Sequence, residues 1–231
     1  MKAETAYHGE MGKQFAAQAT NSTYNAHTDR PAMLELAGDV DGLSVLDLGC
    51  GAGHYAADLL ERGAAQVVGV DGSESLLRAA QERIGAGAVL HHHDLEEPLT
   101  FLADQSFDLV VMALVYHHIT AREQLLAEIR RVLRPGGALL VSTTHPTGDW
   151  TYFGGSYFAD EQAELPFGDG FALNYWRMTL EKFLGELLGA GFALERLLEP
   201  RAEEEARRVD PRRYDKTHSQ PSFLSVRLRC P

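Results

Sequence analysis

The run Val45-Leu46-Asp47-Leu48-Gly49-Cys50-Gly51-Ala52-Gly53-His54-Tyr55 limits what this chain can fold into more than any other stretch. A short, largely apolar segment ends in three glycines at alternate positions, and helix-forming residues 55–62 follow. A buried parallel strand turning sharply into a helix has this pattern. Without a Cβ at those positions, the backbone can pass close to a ligand.

From residue 44 onward the same rhythm repeats. Strand-like segments at 44–48, 66–70, 88–93, 107–113 and 138–143 alternate with helix-like segments at 55–62, 73–84 and 122–133. Regular alternation predicts an α/β fold with a doubly wound, mostly parallel sheet. Ser73 is a good N-cap, and Arg134-Pro135-Gly136-Gly137 reads as a helix stop followed by a turn. A helix at 179–190 and strands at 192–198 and 223–229 complete seven strands, the last two as an antiparallel hairpin at the sheet edge. Before the sheet, turn-rich residues 20–25 separate two helices, the second opening at Pro31 behind Asp29. Residues 1–40 are expected to be helical. With 231 residues and 45% hydrophobic content, the whole span 1–231 can bury one core as a single domain.

A Gly-rich strand-to-helix turn usually holds a dinucleotide. Two residues disfavour that here. The third glycine of G-x-G-x-x-G falls on His54, and Asp47 lies just ahead of the first glycine. A carboxylate there is awkward beside a pyrophosphate but suits an ammonium group. S-adenosylmethionine (SAM) carries one, so the loop favours SAM over a nicotinamide cofactor, and a nicotinamide oxidoreductase is the weaker alternative.

The order of motifs resembles the class I SAM-dependent methyltransferases of the small-molecule, bacterial type, over about residues 40 to 200. Asp47-Leu48-Gly49-Cys50-Gly51-Ala52-Gly53 is similar to the first SAM motif, and Gly69-Val70-Asp71-Gly72-Ser73 to the second. Asp94-Leu95 sits where the family has an acid near the adenine. Phe107-Asp108-Leu109-Val110-Val111 with His117-His118-Ile119 resembles the fourth strand and its loop, and Arg131-Val132-Leu133-Arg134-Pro135-Gly136-Gly137 the turn before strand five. Ser22-Thr23-Tyr24-Asn25 and Arg30-Pro31 resemble an N-terminal lid, and this resemblance implies that the helical residues 1–40 form one here. The resemblance implies a Rossmann-like methyltransferase fold, SAM as cofactor and S-adenosylhomocysteine (SAH) as product. It places Tyr24, Asp47, Gly49, Gly51, Asp71, Gly72, Asp94, Leu95, Ala113 and His118 at the cofactor. Asp71 ends a strand 22 residues after Gly49, where one carboxylate can accept both ribose hydroxyls. Helix capping is the structural alternative for Asp71 and for Asp94. The Ala113 carbonyl, at a strand's carboxyl end, is expected at the SAM ammonium.

Methyl transfer needs a nucleophile held in line and, for some acceptors, a base. His145 and His117, just beyond strand ends, are the candidate bases, since imidazole titrates near neutral pH, with a plain structural histidine as the alternative for each and for His118. His118 is assigned to packing against the cofactor. His91 and His93 share one strand face, but two ligands without C-x-x-C or H-E-x-x-H do not make a metal site, and no metal is expected. Residues 146–178 hold nine aromatics and break the alternation. They are expected to form a long loop that caps the substrate, with Gly148, Gly154, Gly155, Gly168 and Gly170 as hinges; a satellite core beneath that loop is the structural alternative. Tyr152, Tyr157 and Trp176, with Tyr24, are placed nearest an apolar or planar acceptor.

The net charge of −12 argues against a nucleic-acid surface, and the arginines at 207–213 are balanced by Glu203, Glu204 and Glu205. No basic-then-apolar leader and no run of ~20 apolar residues is present, so a cytoplasmic protein without membrane contact is expected. Cys50 and Cys230 suggest no disulfide framework. The partner expected is a small-molecule acceptor, for a monomer or homodimer. A non-catalytic SAM- or SAH-binding protein, or a SAM enzyme of other chemistry, is the alternative function.

Overall fold

The computed structural model describes residues 7–167 and 171–231; the first six residues of the expected lid and the hinge candidates Gly168 and Gly170 lie outside the described residues. Helix α1 (Gly9–Ala19) is followed by a turn, Asn25–Asp29, whose amides reach back five residues (His27 to Ser22, Asp29 to Tyr24). That π-type turn runs directly into α2 (Arg30–Ala37), with Pro31 in its first turn. The alternating body follows: β1 (Ser44–Leu48), α3 (His54–Glu61), β2 (Gln66–Asp71), α4 (Glu74–Ile84), β3 (Val89–His92), β4 (Phe107–Ala113), α5 (Arg122–Val132) and β5 (Leu133–Thr144). Then come α6 (Pro146–Phe153), β6 (Glu161–Phe167), β7 (Phe171–Arg177), α7 (Leu180–Gly189) and β8 (Ala193–Leu198). Short helices α8 (Ala206–Val209) and α9 (Pro211–Ser219) lead to β9 (Phe223–Arg229).

Among the described residues, seven strands form one sheet in the order β3-β2-β1-β4-β5-β9-β8. The first five are parallel; β9 runs antiparallel to both β5 and β8. Chain direction across the sheet reverses between β1 and β4, the switch point beyond whose carboxyl ends open α/β sheets bind ligands. Side chains alternate across the sheet. Val45, Val67, Leu109, Val111 and Leu140 pack with Met33 and Leu36 of α2 and Ala56 and Leu59 of α3. Leu46, Leu48, Val68, Val70, Val110, Met112 and Val141 pack with Ile129 of α5 and Phe183 and Leu187 of α7. Burying one such Leu or Val contributes roughly 1.5–3 kcal/mol, so covering both faces explains why these strands read as near-continuous apolar runs.

Ser73 caps α4 as expected, accepting from the Leu76 amide at 3.3 Å. Three expectations differ in form. The turn at 134–137 is a bulge inside β5, because Leu133 already pairs with Phe107 and pairing resumes at Leu109 and Ala138. The expected edge hairpin is an antiparallel pair, but α8 and α9 intervene and β9 lies inside the sheet with only β8 at the edge. Residues 146–178 contain a helix and a separate two-stranded sheet of β6 and β7 instead of a long loop. Leu173, Tyr175 and Arg177 are buried while Ala172 and Asn174 are exposed, a period-two pattern hidden in sequence by the density of aromatics. No helix among the described residues is long and apolar enough to cross a membrane.

Candidate active site

A cavity of about 1240 Å³ opens above the carboxyl ends of β1, β2, β4 and β5. Small-molecule sites are commonly ~300–1,000 Å³, so this one has room for two ligands side by side. The glycine loop, Asp71, Gly72, Asp94, Leu95 and Ala113 line it together with Tyr24 and α1 residues Met11 and Phe15. Gly148, Asp149 and Tyr152 of α6 and Leu165, Leu173, Asn174 and Tyr175 of the β6–β7 hairpin extend the wall.

The loop is shaped by its hydrogen bonds. Gly49 and Cys50 amides both donate to the Val70 carbonyl, at 2.7 and 3.0 Å, which turns the chain at the end of β1. Gly49 has φ +71°, and a Cβ there would lie 2.3 Å from a Val115 methyl. Gly51, at φ +55°, would point a Cβ into open space on the cavity wall. Its amide donates to Asp71 Oδ2 at 2.8 Å, and the Ser73 amide donates to Oδ1 at 2.8 Å. Asp71 therefore both organises the loop and lines the cavity; burial raises its pKa, and the two amides oppose that rise.

Asp47 corrects an expectation. It is 1% exposed and does not line the cavity, because on β1 it shares the face of Val45 that packs toward α2 and α3. Its Oδ2 has no hydrogen-bond partner, and burial, reinforced by Asp71, pushes its pKa to about 7.

Asp94 accepts from the Glu96 amide at 3.1 Å and lines the cavity beside Leu95. His117 and His118 line it as well, their rings 4.3 Å apart. His117 Nδ1 lies 3.0 Å from Thr143 Oγ1, and burial holds its pKa well below the ordinary imidazole value. His118 Nδ1 is 3.1 Å from the Asn174 carbonyl, which can only accept. Nδ1 therefore carries the proton, and the lone pair of neutral His118 sits on Nε2. Burial lowers the His118 pKa too. Tyr24 meets Phe223 edge-on at 5.7 Å and the Arg213 guanidinium lies over its ring.

His145 is not a cavity residue. Its Nδ1 accepts from the Thr147 amide at 3.1 Å, capping α6, and its Nε2 pairs with Glu199 at 2.9 Å. With both nitrogens committed and the ring 6% exposed, it holds α6 in place and is not a base toward an acceptor. Of the four residues expected nearest the acceptor, Tyr24 and Tyr152 line the cavity. The Tyr157 hydroxyl accepts from the Leu180 amide, and Trp176 stacks under Arg122 with its indole N–H 3.4 Å from Thr120 Oγ1. On a strand neighbours face opposite ways, so it is Tyr175, not Trp176, that faces inward.

Sequence reasoning also missed Asp149, which accepts from Thr144 (2.8 Å) and the Tyr175 hydroxyl (2.9 Å); burial raises its pKa to about 6. It missed His54 and Tyr55 as wall residues, and it placed Asp29 and Arg30 in the lid segment without giving either a role of its own. His91 and His93 flank the Phe101 ring at 4.8 and 4.9 Å.

A methyltransferase-domain family profile matches residues 46–141. Demethylmenaquinone methyltransferase of Thermotoga maritima is 30% identical over 165 residues, 67% of this chain and 69% of the relative. The chain belongs to the class I SAM-dependent methyltransferases. Other relatives differ in what they act on; a tRNA U34 carboxymethyltransferase of Idiomarina loihiensis is 32% identical over 49% of this chain and 36% of its own. The chain spans about half or less of the length of several curated relatives it matches, 53%, 38% and 49%. In fold it is similar to a SAM-dependent methyltransferase from Mesorhizobium loti, with TM-score 0.71, 24% identity and coverage of 91% of this chain and 99% of that one. It is also similar to a 1,6-didemethyltoxoflavin N1-methyltransferase of Burkholderia thailandensis with bound SAH, with TM-score 0.60, 20% identity and coverage of 95% and 86%.

SAM is the cofactor of this family, and the residues fit it. Gly51 leaves open wall where a side chain would stand, Asp71 presents a carboxylate beside it, and Asp94, Leu95 and Ala113 complete one side. Asp29, a buried carboxylate whose Oδ1 meets no partner of normal geometry, is a residue of the same wall.

Proposed function

We propose that this protein transfers a methyl group from SAM to a small organic acceptor and releases SAH. The observation that carries the reading is one cavity whose wall runs from the glycine loop to α6 and the β6–β7 hairpin, roomy enough for cofactor and acceptor together. Bound SAM supplies an electrophilic methyl on a sulfonium. Asp71 and Gly72 hold the ribose, Asp94 and Leu95 the adenine, and the Ala113 carbonyl the ammonium; Tyr24 closes from the lid. Tyr152, Tyr175 and Leu173 give the acceptor a largely apolar wall. Where the acceptor has a proton to lose, His117 is its receiver. Burial keeps that ring neutral at pH 7, so one nitrogen carries a lone pair, and the His118 Nε2 lone pair stands beside it.

The test has two arms. Calorimetric titration with SAH should give micromolar binding, about −8 kcal/mol, weakened by roughly 1–3 kcal/mol in Asp71→Ala. Incubation of a metabolite extract with labelled SAM should then transfer label to a small molecule and not to RNA or protein. Label in RNA would overturn the acceptor class; SAH binding with no labelled product of any kind would favour a non-catalytic SAM-binding role.

A further inference from the structure

The ammonium of SAM calls for an anion, and Asp47, the residue the sequence offers, does not reach the cavity wall. Asp29 does. It closes the π-type turn that ends at α2, so it belongs to the N-terminal lid and not to the sheet. Its side chain is 1% exposed, and its two oxygens are treated unequally. Oδ2 accepts from the Tyr55 hydroxyl at 2.5 Å, which fixes the orientation of the carboxylate. Oδ1 meets no hydrogen-bond partner of normal geometry, although the Ser142 hydroxyl lies close enough to act on the carboxyl as a hydrogen-bond donor. An unpaired buried carboxylate oxygen is costly and calls for an explanation; Asp29, unlike Asp47, is a residue of the cavity wall, where a ligand can complete it.

Its position is also informative. The Ser142 hydroxyl and the Arg30 guanidinium are among the groups that act on the Asp29 carboxyl, and Ser142 pairs in register with Ala113 at the end of β4. Asp29 is thus brought to the strand end where the Ala113 carbonyl lies, and both line the same cavity.

We infer that Asp29 Oδ1 is the anion that pairs with the cofactor's ammonium, opposite the Ala113 carbonyl, so that binding the amino-acid end of SAM fastens the lid to the sheet. This rests on the SAM reading above. It assigns Asp71 to the ribose, Asp29 to the ammonium, and leaves Asp47 as a buried group beneath the loop. Because Asp29 is carried by the lid, a ligand lacking the ammonium should occupy the nucleoside part of the site without fastening it.

Calorimetry with three ligands separates the possibilities: SAH, its deamino analogue (the adenosyl thioether of 4-mercaptobutyrate) and 5′-methylthioadenosine. Asp29→Asn, which keeps shape and removes charge, should weaken SAH by about 10–100-fold, the scale of a lost charge-assisted bond. It should change the other two by less than about threefold, since neither carries an ammonium. Equal weakening of all three would mean that Asp29 only holds the lid together, and no change in SAH would mean that the ammonium binds elsewhere; either overturns the assignment. In the wild type, the carboxyl carbon resonance of Asp29 should titrate at lower pH with SAH bound than with the deamino analogue, a comparison that needs no variant. Identical titrations would overturn the assignment as well. If wild-type protein binds none of the three, the SAM reading fails and this assignment falls with it; binding of all three with the Asp29→Asn pattern absent overturns the assignment alone.

Discussion

Asp47→Asn isolates the cost of a charge buried under the glycine loop. The carboxyl is 1% exposed, Oδ2 has no partner, and burial with Asp71 nearby raises its pKa from 3.8 to about 7. The folded state therefore keeps a proton that the unfolded chain releases. A raised acid contributes its full share of stability below pH 3.8 and loses it as pH climbs through 7. At 1.36 kcal/mol per tenfold change in proton affinity, ionisation costs the fold about 4 kcal/mol at pH 8 and about 2 kcal/mol at pH 5. Asparagine has no charge to bury, so the variant escapes this loss. Its stability advantage over wild type should widen by about 2–3 kcal/mol between pH 5 and pH 8. For a chain of this size that corresponds to roughly 5–10 °C in melting temperature. Contributions from Asp29 and Asp149 are present in both proteins and cancel in the difference. Urea or thermal unfolding of ligand-free protein at the two pH values measures it. A gap that stays constant within about 0.5 kcal/mol would refute the reasoning and place Asp47 as an ordinary, well-solvated acid.

Other variants test other parts of the site. Gly53→Val puts a side chain 2.6 Å from Ile84 and 3.0 Å from Ala80 at φ +75°, and should destabilise the fold by about 1–3 kcal/mol, read by urea unfolding. Gly51→Val meets no atom but points into the cavity at φ +55°, so SAH affinity should fall by more than fold stability does; unchanged affinity on calorimetry would remove the loop from the site. His145→Ala deletes the α6 cap and should cost about 1 kcal/mol in a melting curve with SAH affinity nearly unchanged. Limited proteolysis should cut near residues 20–25 more slowly with SAH than without it, and equal rates would mean that the lid does not respond to ligand.

The sequence by itself determined the sheet. Apolar runs buried on both faces have no other stable home, and glycines at alternate positions after Leu48 leave only a tight strand-to-helix turn, so β1, β2, β4 and the loop were readable within a residue or two. Residues tied to those strand ends, Asp71, Gly72, Asp94, Leu95 and Ala113, were readable with them and do line the cavity. What tertiary structure decided is direction. Whether Asp47 faces the ligand or the α2–α3 side follows from strand parity against neighbours far away in sequence, and the same parity exchanges Trp176 for Tyr175. His145 stands at a strand end as a base would, yet Glu199, remote in the chain, and the first turn of α6 claim both of its nitrogens. Asp29 reads locally as a residue before a helix; it becomes a wall of the cavity only because α2 packs against the sheet and brings it to Tyr55. Local pattern fixes which elements form, since it depends on neighbours along the chain. The chemistry of a side chain depends on which distant groups satisfy or abandon its polar atoms, and only packing settles that.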